Sequence, residues 1–280
     1  MSDALRIALV GATGLVGSAV IAQCVGREDL RLTGIARREV ALPRGIRMEL
    51  FVAEPAKWGE VIEAVRPKAM ICALGTTRKK VGGDEAAFRA VDQQLVLDTA
   101  RAAHALGVER FVHVSSVGAD PMSKAFYLRV KGEVERDLAK VGFTRLDILR
   151  PGLLRGRRRD DHRPAERLGI AAAPMANLVL HGKFRQYRGI RAETVAQAAL
   201  ALSRRAARGR FVHDNDAILR AAKTLPQIEP EINAKAVNHA PSGAAVFATI
   251  SASFIRHTRV MVPATAISGK NARDMLANGT

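Results

Sequence analysis

The stretch Val10-Gly11-Ala12-Thr13-Gly14-Leu15-Val16-Gly17 constrains this chain more than any other. It follows the apolar run Leu5 to Leu9 directly and leads into a helical pattern that reaches Cys24. A buried strand entering a glycine turn and then a helix aims backbone N–H groups and the positive end of a helix dipole at one point, which suits a diphosphate. Gly11 permits the tight turn, Gly14 a close approach of backbone to phosphate, and Gly17 close packing of helix on strand. Thr13, Leu15 and Val16 complete the expected cradle. The spacing is G-x-x-G-x-x-G rather than the usual G-x-G-x-x-G, so other parts of the chain must support the reading.

They do so by alternation. Short apolar, β-branched runs at Leu5–Val10, Leu30–Ala36, Arg47–Val52, Ala69–Leu74, Arg110–Ser115, Thr144–Leu149 and Arg210–His213 predict strands. Helical patterns lie near Gly14–Val25, Pro55–Arg66, Asp84–Leu106, Met122–Val141 and Ala192–Arg205. Strand and helix in turn imply right-handed crossovers and a doubly wound parallel α/β sheet of Rossmann type, covered on both faces. Ligands then bind beyond the carboxyl ends of the strands, where the strand order reverses.

The formal net charge of +17 raises the question of a nucleic-acid partner. Aromatic residues make up only 4% of the chain, and no helix-turn-helix, zinc-finger or aromatic-rich RNA-binding motif is present. The excess is read as a solvated surface bias, part of which serves an anionic cofactor. No segment reaches the roughly 20 apolar residues of a membrane span, and Met1-Ser2-Asp3-Ala4 does not open a targeting pattern, so a cytoplasmic protein is expected. Cys24 and Cys72 give neither a disulfide framework nor a metal spacing, and the histidines add no ligand pattern. No metal is expected.

Past the second strand, about 20 residues from the glycine turn, stand Arg37 and Arg38. An acid there would accept the ribose 2′-hydroxyl of NAD(H), whereas a guanidinium clasps a 2′-phosphate. NADP(H) is therefore expected over NAD(H). The fourth strand runs into Leu74-Gly75-Thr76-Thr77, where Gly75 lets backbone pass close to a ligand and the threonines offer hydroxyls. Asp92 either holds the fifth-strand loop by hydrogen bonding or is simply a polar residue of its helix.

The fifth strand ends in Ser115-Ser116, followed by Tyr127 and Lys131 on a helix. Residues four apart share a helical face. A positive charge beside a phenol lowers its pKa from near 10, which suits it to proton transfer at neutral pH. Ser116, or as second choice Ser115, can hydrogen-bond a substrate carbonyl and orient it.

With these residues in view the chain resembles an atypical, extended short-chain dehydrogenase/reductase. More narrowly it is similar to the Tat-interactive-protein-like oxidoreductase branch. The likeness runs through Gly11–Gly17, Cys72-Ala-Leu-Gly-Thr-Thr-Arg78, Phe88-Arg-Ala-Val-Asp92, Ser115-Ser-Val-Gly-Ala-Asp120, Tyr127-Leu-Arg-Val-Lys-Gly-Glu-Val-Glu135 and Arg150-Pro-Gly152. It implies a Rossmann-type domain, NADP(H), and a triad of Ser116, Tyr127 as proton donor and Lys131, which also binds the nicotinamide ribose. Pro151 is expected against the cofactor. Many relatives in the wider superfamily carry asparagine where Asp92 stands, which argues against a water-relay role there. Helices flanking the fourth and fifth strands commonly pair in this superfamily, leaving a homodimer open.

After Arg150-Pro151-Gly152 comes the charge run 155–163, read as a solvated lid. From Thr224 charges thin out and prolines interrupt the pattern, so residues 1–223 are expected to form one domain and 224–280 a loosely packed or disordered extension. The function expected is hydride transfer between NADP(H) and a small carbonyl-type substrate. The alternative is an NADP(H)-binding redox sensor that acts through a protein partner without turnover.

Overall fold

The computed structural model describes residues 4–77, 80–156 and 186–227, together with the backbone of two short strands further on. In chain order the elements are β1 (Leu5–Val10), α1 (Leu15–Gln23), β2 (Leu30–Ala36), β3 (Met48–Val52), a 3-10 turn (Pro55–Lys57) running into α2 (Trp58–Val65), and β4 (Ala69–Cys72). Then come α3 (Glu85–Arg89), a π-helical segment (Ala90–Gln94), α4 (Leu95–Ala105), β5 (Arg110–Val114), α5 (Phe126–Leu138), β6 (Arg145–Leu149) and the two-residue strands β7 (Leu154–Arg155) and β8 (Ile190–Arg191). The series closes with α6 (Ala192–Ser203), β9 (Gly209–His213), α7 (Asn215–Ala222), β10 (Phe247–Ala248) and β11 (Arg259–Met261).

Seven strands form the parallel sheet in the order β3-β2-β1-β4-β5-β6-β9. The order reverses beside β1, between β2 and β4, as the glycine turn requires. Beyond β3 the sheet continues antiparallel through β11 and β10. β7 and β8 pair with each other as a separate ribbon.

The alternation of strand side chains builds two cores. In β1, Ile7 and Leu9 face a cluster with Val16 and Val20 of α1, Val195 and Leu202 of α6, and Ile218 of α7. Ala8 and Val10 face the opposite cluster, with Trp58 and Ile62 of α2, Val96 and Ala100 of α4, and Val134 and Leu138 of α5. Each large side chain so buried contributes about 1.5–3 kcal/mol. The strands are apolar on both faces because helices cover both.

The expected doubly wound sheet is present, with three corrections. The single helix expected over 84–106 is three segments: Asp84 caps α3 by accepting from the Ala86 and Ala87 N–H groups, and the π segment carries an extra residue per turn before α4. Helix α7, capped by Asp214 through the Ala217 N–H, was not expected. Nor was the β7–β8 ribbon. Arg78, the charge run beyond Gly156 and most of 224–280 lie outside the described residues.

Candidate functional site

At the end of β1, Gly11 adopts φ +86°, and its carbonyl accepts the Gly14 N–H at 3.0 Å to close the turn. A Cβ on Gly11 would overlap the Ala73 backbone, and one on Gly17 would overlap the Gly11 carbonyl. The turn, the β4 end and the first turn of α1 thus interlock through bare backbone. At Gly14 the nearest atom to a Cβ would be the Gly11 carbonyl at 3.3 Å, so this glycine is less tightly required. Leu15, Val16 and Gly17 open α1 with N–H groups that lack intrahelical acceptors, the arrangement a diphosphate fits. Thr13 is exposed beside them, while the Val16 side chain is buried in the core and can offer only its backbone. Arg37 and Arg38 are exposed immediately after β2.

The β4 loop reaches the same end of the sheet. Leu74 is buried, Gly75 is exposed, and the Thr76 N–H donates to Asp92 Oδ2 at 2.6 Å. The other Asp92 oxygen lies 2.8 Å from Lys131 Nζ, and this ion pair is almost sealed from solvent. Burial favours a neutral Lys131, but the Asp92 carboxylate, with Tyr127 behind it, outweighs that and holds the ammonium above its ordinary pKa. A Cβ on Gly75 would stand 3.5 Å from Asp92 Oδ1 and 3.9 Å from Lys131 Nζ. Gly75 therefore lies over the pair. Asp92 is fully buried and both its oxygens are engaged, so it acts through Lys131 and Thr76. Asp92 does hold a loop, but it is the one after β4 and not the expected fifth-strand loop, because its Oδ2 meets the Thr76 N–H.

The two serines separate. Ser115 faces α5, and its hydroxyl donates to Glu135 at 2.5 Å, which removes it from substrate binding. Ser116 is half-buried, and among the described residues its hydroxyl reaches only its neighbour's carbonyl, Val117 O at 3.3 Å. Tyr127 is 36% exposed, its ring edge-on to Phe88 at 5.8 Å. Tyr127, Lys131 and Glu135 follow one another at four-residue steps on one face of α5. Gly132 lets α5 press against the loop after β5, since a Cβ there would overlap the Asp120–Pro121 backbone. Buried Pro151 accepts the Val117 N–H at 2.9 Å and ties that loop to the end of β6.

Glu135 was not expected to have a role, although it closes the Tyr127 to Glu135 motif. A carboxylate eight residues beyond a tyrosine on an apolar helical face was the available signal. His113 and Cys72, partners in the β4–β5 register, lie buried beneath the site. Burial, with the Lys131 charge second, pushes the His113 imidazole down to about 3, and burial pushes the Cys72 thiol up to about 12. Neither titrates near neutrality. Among the described residues no group of three or more His, Cys, Asp or Glu side chains could hold a metal, and no helix is long and apolar enough to cross a membrane.

Residues 11–175, running from the glycine turn past β7, match the family described as NAD(P)H-binding. The chain belongs to that family. This NAD(P)H-binding chain is 34% identical over 203 residues to the mitochondrial protein fmp52 of Aspergillus niger, a match covering 70% of the chain and 85% of the relative. It is 35% identical over 203 residues to fmp52 of Aspergillus fumigatus, with the same coverage. Among solved structures, the UDP-glucose 4-epimerase of Thermus thermophilus in complex with NAD superposes with a TM-score of 0.54 at 20% identity, covering 78% of this chain and 82% of that one. The UDP-N-acetylglucosamine 4-epimerase of Bacillus cereus does so with 0.55 at 16%, covering 78% and 84%. These likenesses establish the Rossmann-type fold. The expected cytoplasmic location does not stand, because the fmp52 relatives are named mitochondrial proteins.

Proposed function

We propose that this chain is an NADP(H)-dependent reductase acting on a small carbonyl-type substrate. The observation that carries the reading is the sealed Lys131 ammonium, coupled to a solvent-facing Tyr127 one helical turn away, at the sheet end that also holds the glycine turn. A reduced nicotinamide bound at this sheet end would supply the hydride for the carbonyl carbon. Tyr127 gives its hydroxyl proton to the carbonyl oxygen, and Lys131 stabilises the phenolate left behind. Ser116 donates a hydrogen bond to that same oxygen and polarises the C=O bond.

Lys131 would also hold the nicotinamide ribose. Gly11, Thr13, Gly14, Leu15, Val16 and Gly17 would cradle the diphosphate, while Leu74, Gly75, Thr76 and Pro151 would line the cofactor. Arg37, with Arg38 second, takes the ribose 2′-phosphate and favours NADP(H). The narrower kinship with the Tat-interactive-protein-like branch rests on the Ser115–Asp120 and Tyr127–Glu135 motifs. The names of the fmp52 relatives support mitochondrial residence.

The test is NADPH oxidation across aldehydes, quinones and enones with wild-type protein and Tyr127→Phe. Turnover by the wild type that falls about 10²–10⁴-fold in the variant, with NADPH still bound, is expected. Equal turnover by both proteins, or none by the wild type, overturns the reading.

A further inference from the structure

Glu135 binds two partners with one buried carboxylate. Besides the Ser115 hydroxyl it receives the Arg150 guanidinium, whose Nε lies 3.0 Å from Oε1 and whose Nη2 lies 2.5 Å from Oε2. Glu135 is 2% exposed, so the fork that holds Arg150 is sealed from water on the α5 side. Such a two-pronged contact fixes the guanidinium plane as well as its position. Arg150 Nη1 has no acceptor among the described residues. Arg150 lines a cavity of about 280 Å³ together with Val117, Gly118, Gln186, Asp214 and Arg220. Val117 and Gly118 directly follow Ser116, so the cavity borders the loop that carries the serine assigned to the carbonyl in the proposed reaction.

The polar lining has a sign. Among the described residues Arg150 and Arg220 contribute two guanidiniums and Gln186 an amide, against the one carboxylate of Asp214, an oxygen of which caps α7 at 2.7 Å. We infer that Arg150 is a specificity-determining residue that accepts a carboxylate of the second reactant in this cavity, and that Glu135 is the positioning residue that aims it. The inference rests on the reductase reading for its reaction, but the binding it requires does not depend on turnover. A guanidinium held from behind loses little freedom on meeting an anion, so recognition is strong for a single contact.

The test uses 4-carboxybenzaldehyde and its neutral methyl ester as paired probes, with wild type, Arg150→Gln, Arg150→Lys and Glu135→Gln. The wild type should prefer the acid in kcat/KM. Arg150→Gln should bring the acid-to-ester ratio down by about ten- to a hundred-fold, mainly through KM. Arg150→Lys should keep part of the preference, and Glu135→Gln should lose it although Arg150 is still present. A merely structural role would lower both substrates alike and leave the ratio where it was. Equal use of acid and ester by the wild type, or a ratio unmoved in Arg150→Gln, overturns the inference. If neither probe oxidises NADPH, the reductase reading is what fails for this pair. Calorimetry with NADP⁺-loaded protein then decides: binding of 4-carboxybenzaldehyde that Arg150→Gln abolishes upholds the inference, and no binding by the wild type overturns it.

Discussion

Lys131 and Asp92 face each other across 2.8 Å with side chains only 4% and 1% exposed. A buried pair of this kind costs much desolvation to form, and removing one partner leaves the other charge uncompensated. Asp92→Asn should therefore lower the unfolding free energy by roughly 3–5 kcal/mol, read from urea denaturation. The Thr76 N–H keeps an acceptor in this variant, so the loss reports the ion pair. The pH dependence has a definite sign. Because the native Lys131 value is raised, its stabilisation is complete below the ordinary 10.5 and disappears as pH climbs through the native value. Melting curves taken above about pH 10 should fall more steeply for wild type than for Asp92→Asn.

Gly17→Ala adds one methyl group where the Gly11 carbonyl already stands. Helix α1 must withdraw from the turn, which costs about 1–3 kcal/mol in an otherwise packed core. Withdrawal also moves the first-turn N–H groups away from the proposed diphosphate position. NADPH affinity, followed by its fluorescence on binding, should weaken at least about tenfold. Gly14→Ala is the comparison, since space there is tight rather than closed. It should bind NADPH better than Gly17→Ala does.

Arg37 lies exposed just past β2 and is proposed to meet the 2′-phosphate. Arg37→Ala should weaken NADPH binding by about tenfold or more while leaving NADH binding close to its starting value, because only one of the two ligands carries that phosphate. Titration of each reduced cofactor into both proteins separates the outcomes. A variant that loses both equally would remove Arg37 from phosphate recognition.

His113 carries two buried ring nitrogens with no hydrogen-bond partner among the described residues, and its imidazole is held down at about 3. Between that value and the ordinary 6.5 the unfolded chain binds the extra proton, so stability is full above 6.5 and declines as pH drops. Each pH unit in this window costs about 1.4 kcal/mol. His113→Leu, which replaces an unsatisfied polar ring by an apolar side chain, should be neutral or slightly stabilising at pH 7 and should blunt the acid loss. Thermal melts from about pH 7 to 4 would record both effects. NADPH binding that survives the change would confirm that the histidine only fills space.

The sheet was legible because each strand is a short apolar run between helical patterns, and β1 with its glycine turn carried the position of the cofactor end. Three features were hidden for physical reasons. The π segment at Ala90–Gln94 lies between buried Phe88 and buried Val96, which pack into different clusters, and apolar residues on both sides of it let the run read as one continuous helix. Ser115 and Ser116 are adjacent and identical in type. The alternation Phe111, His113, Ser115 was the cue that the first of them faces α5, but a strand end is where alternation stops being trustworthy. Asp92 and Lys131 stand 39 positions apart, and nothing local announces that a carboxylate in one helix will neutralise an ammonium in another. The Asp214 cap of α7 was readable, since an Asp-Asn-Asp start is a common helix opening.

Tyr127, Lys131 and Glu135 are borne on a single rod, and the spacing between them is set by helical pitch rather than by any loop. Loops around the site can lengthen or shorten without disturbing these three. A one-residue insertion inside α5 is different: it would turn everything beyond it by about 100° and slide it about 1.5 Å along the axis. Placed between Lys131 and Glu135, it would keep the proposed proton donor Tyr127 and the ammonium together while swinging the clasp on Arg150 away. The proposed chemistry and the proposed recognition, which share one helix, would then be uncoupled by a single added residue.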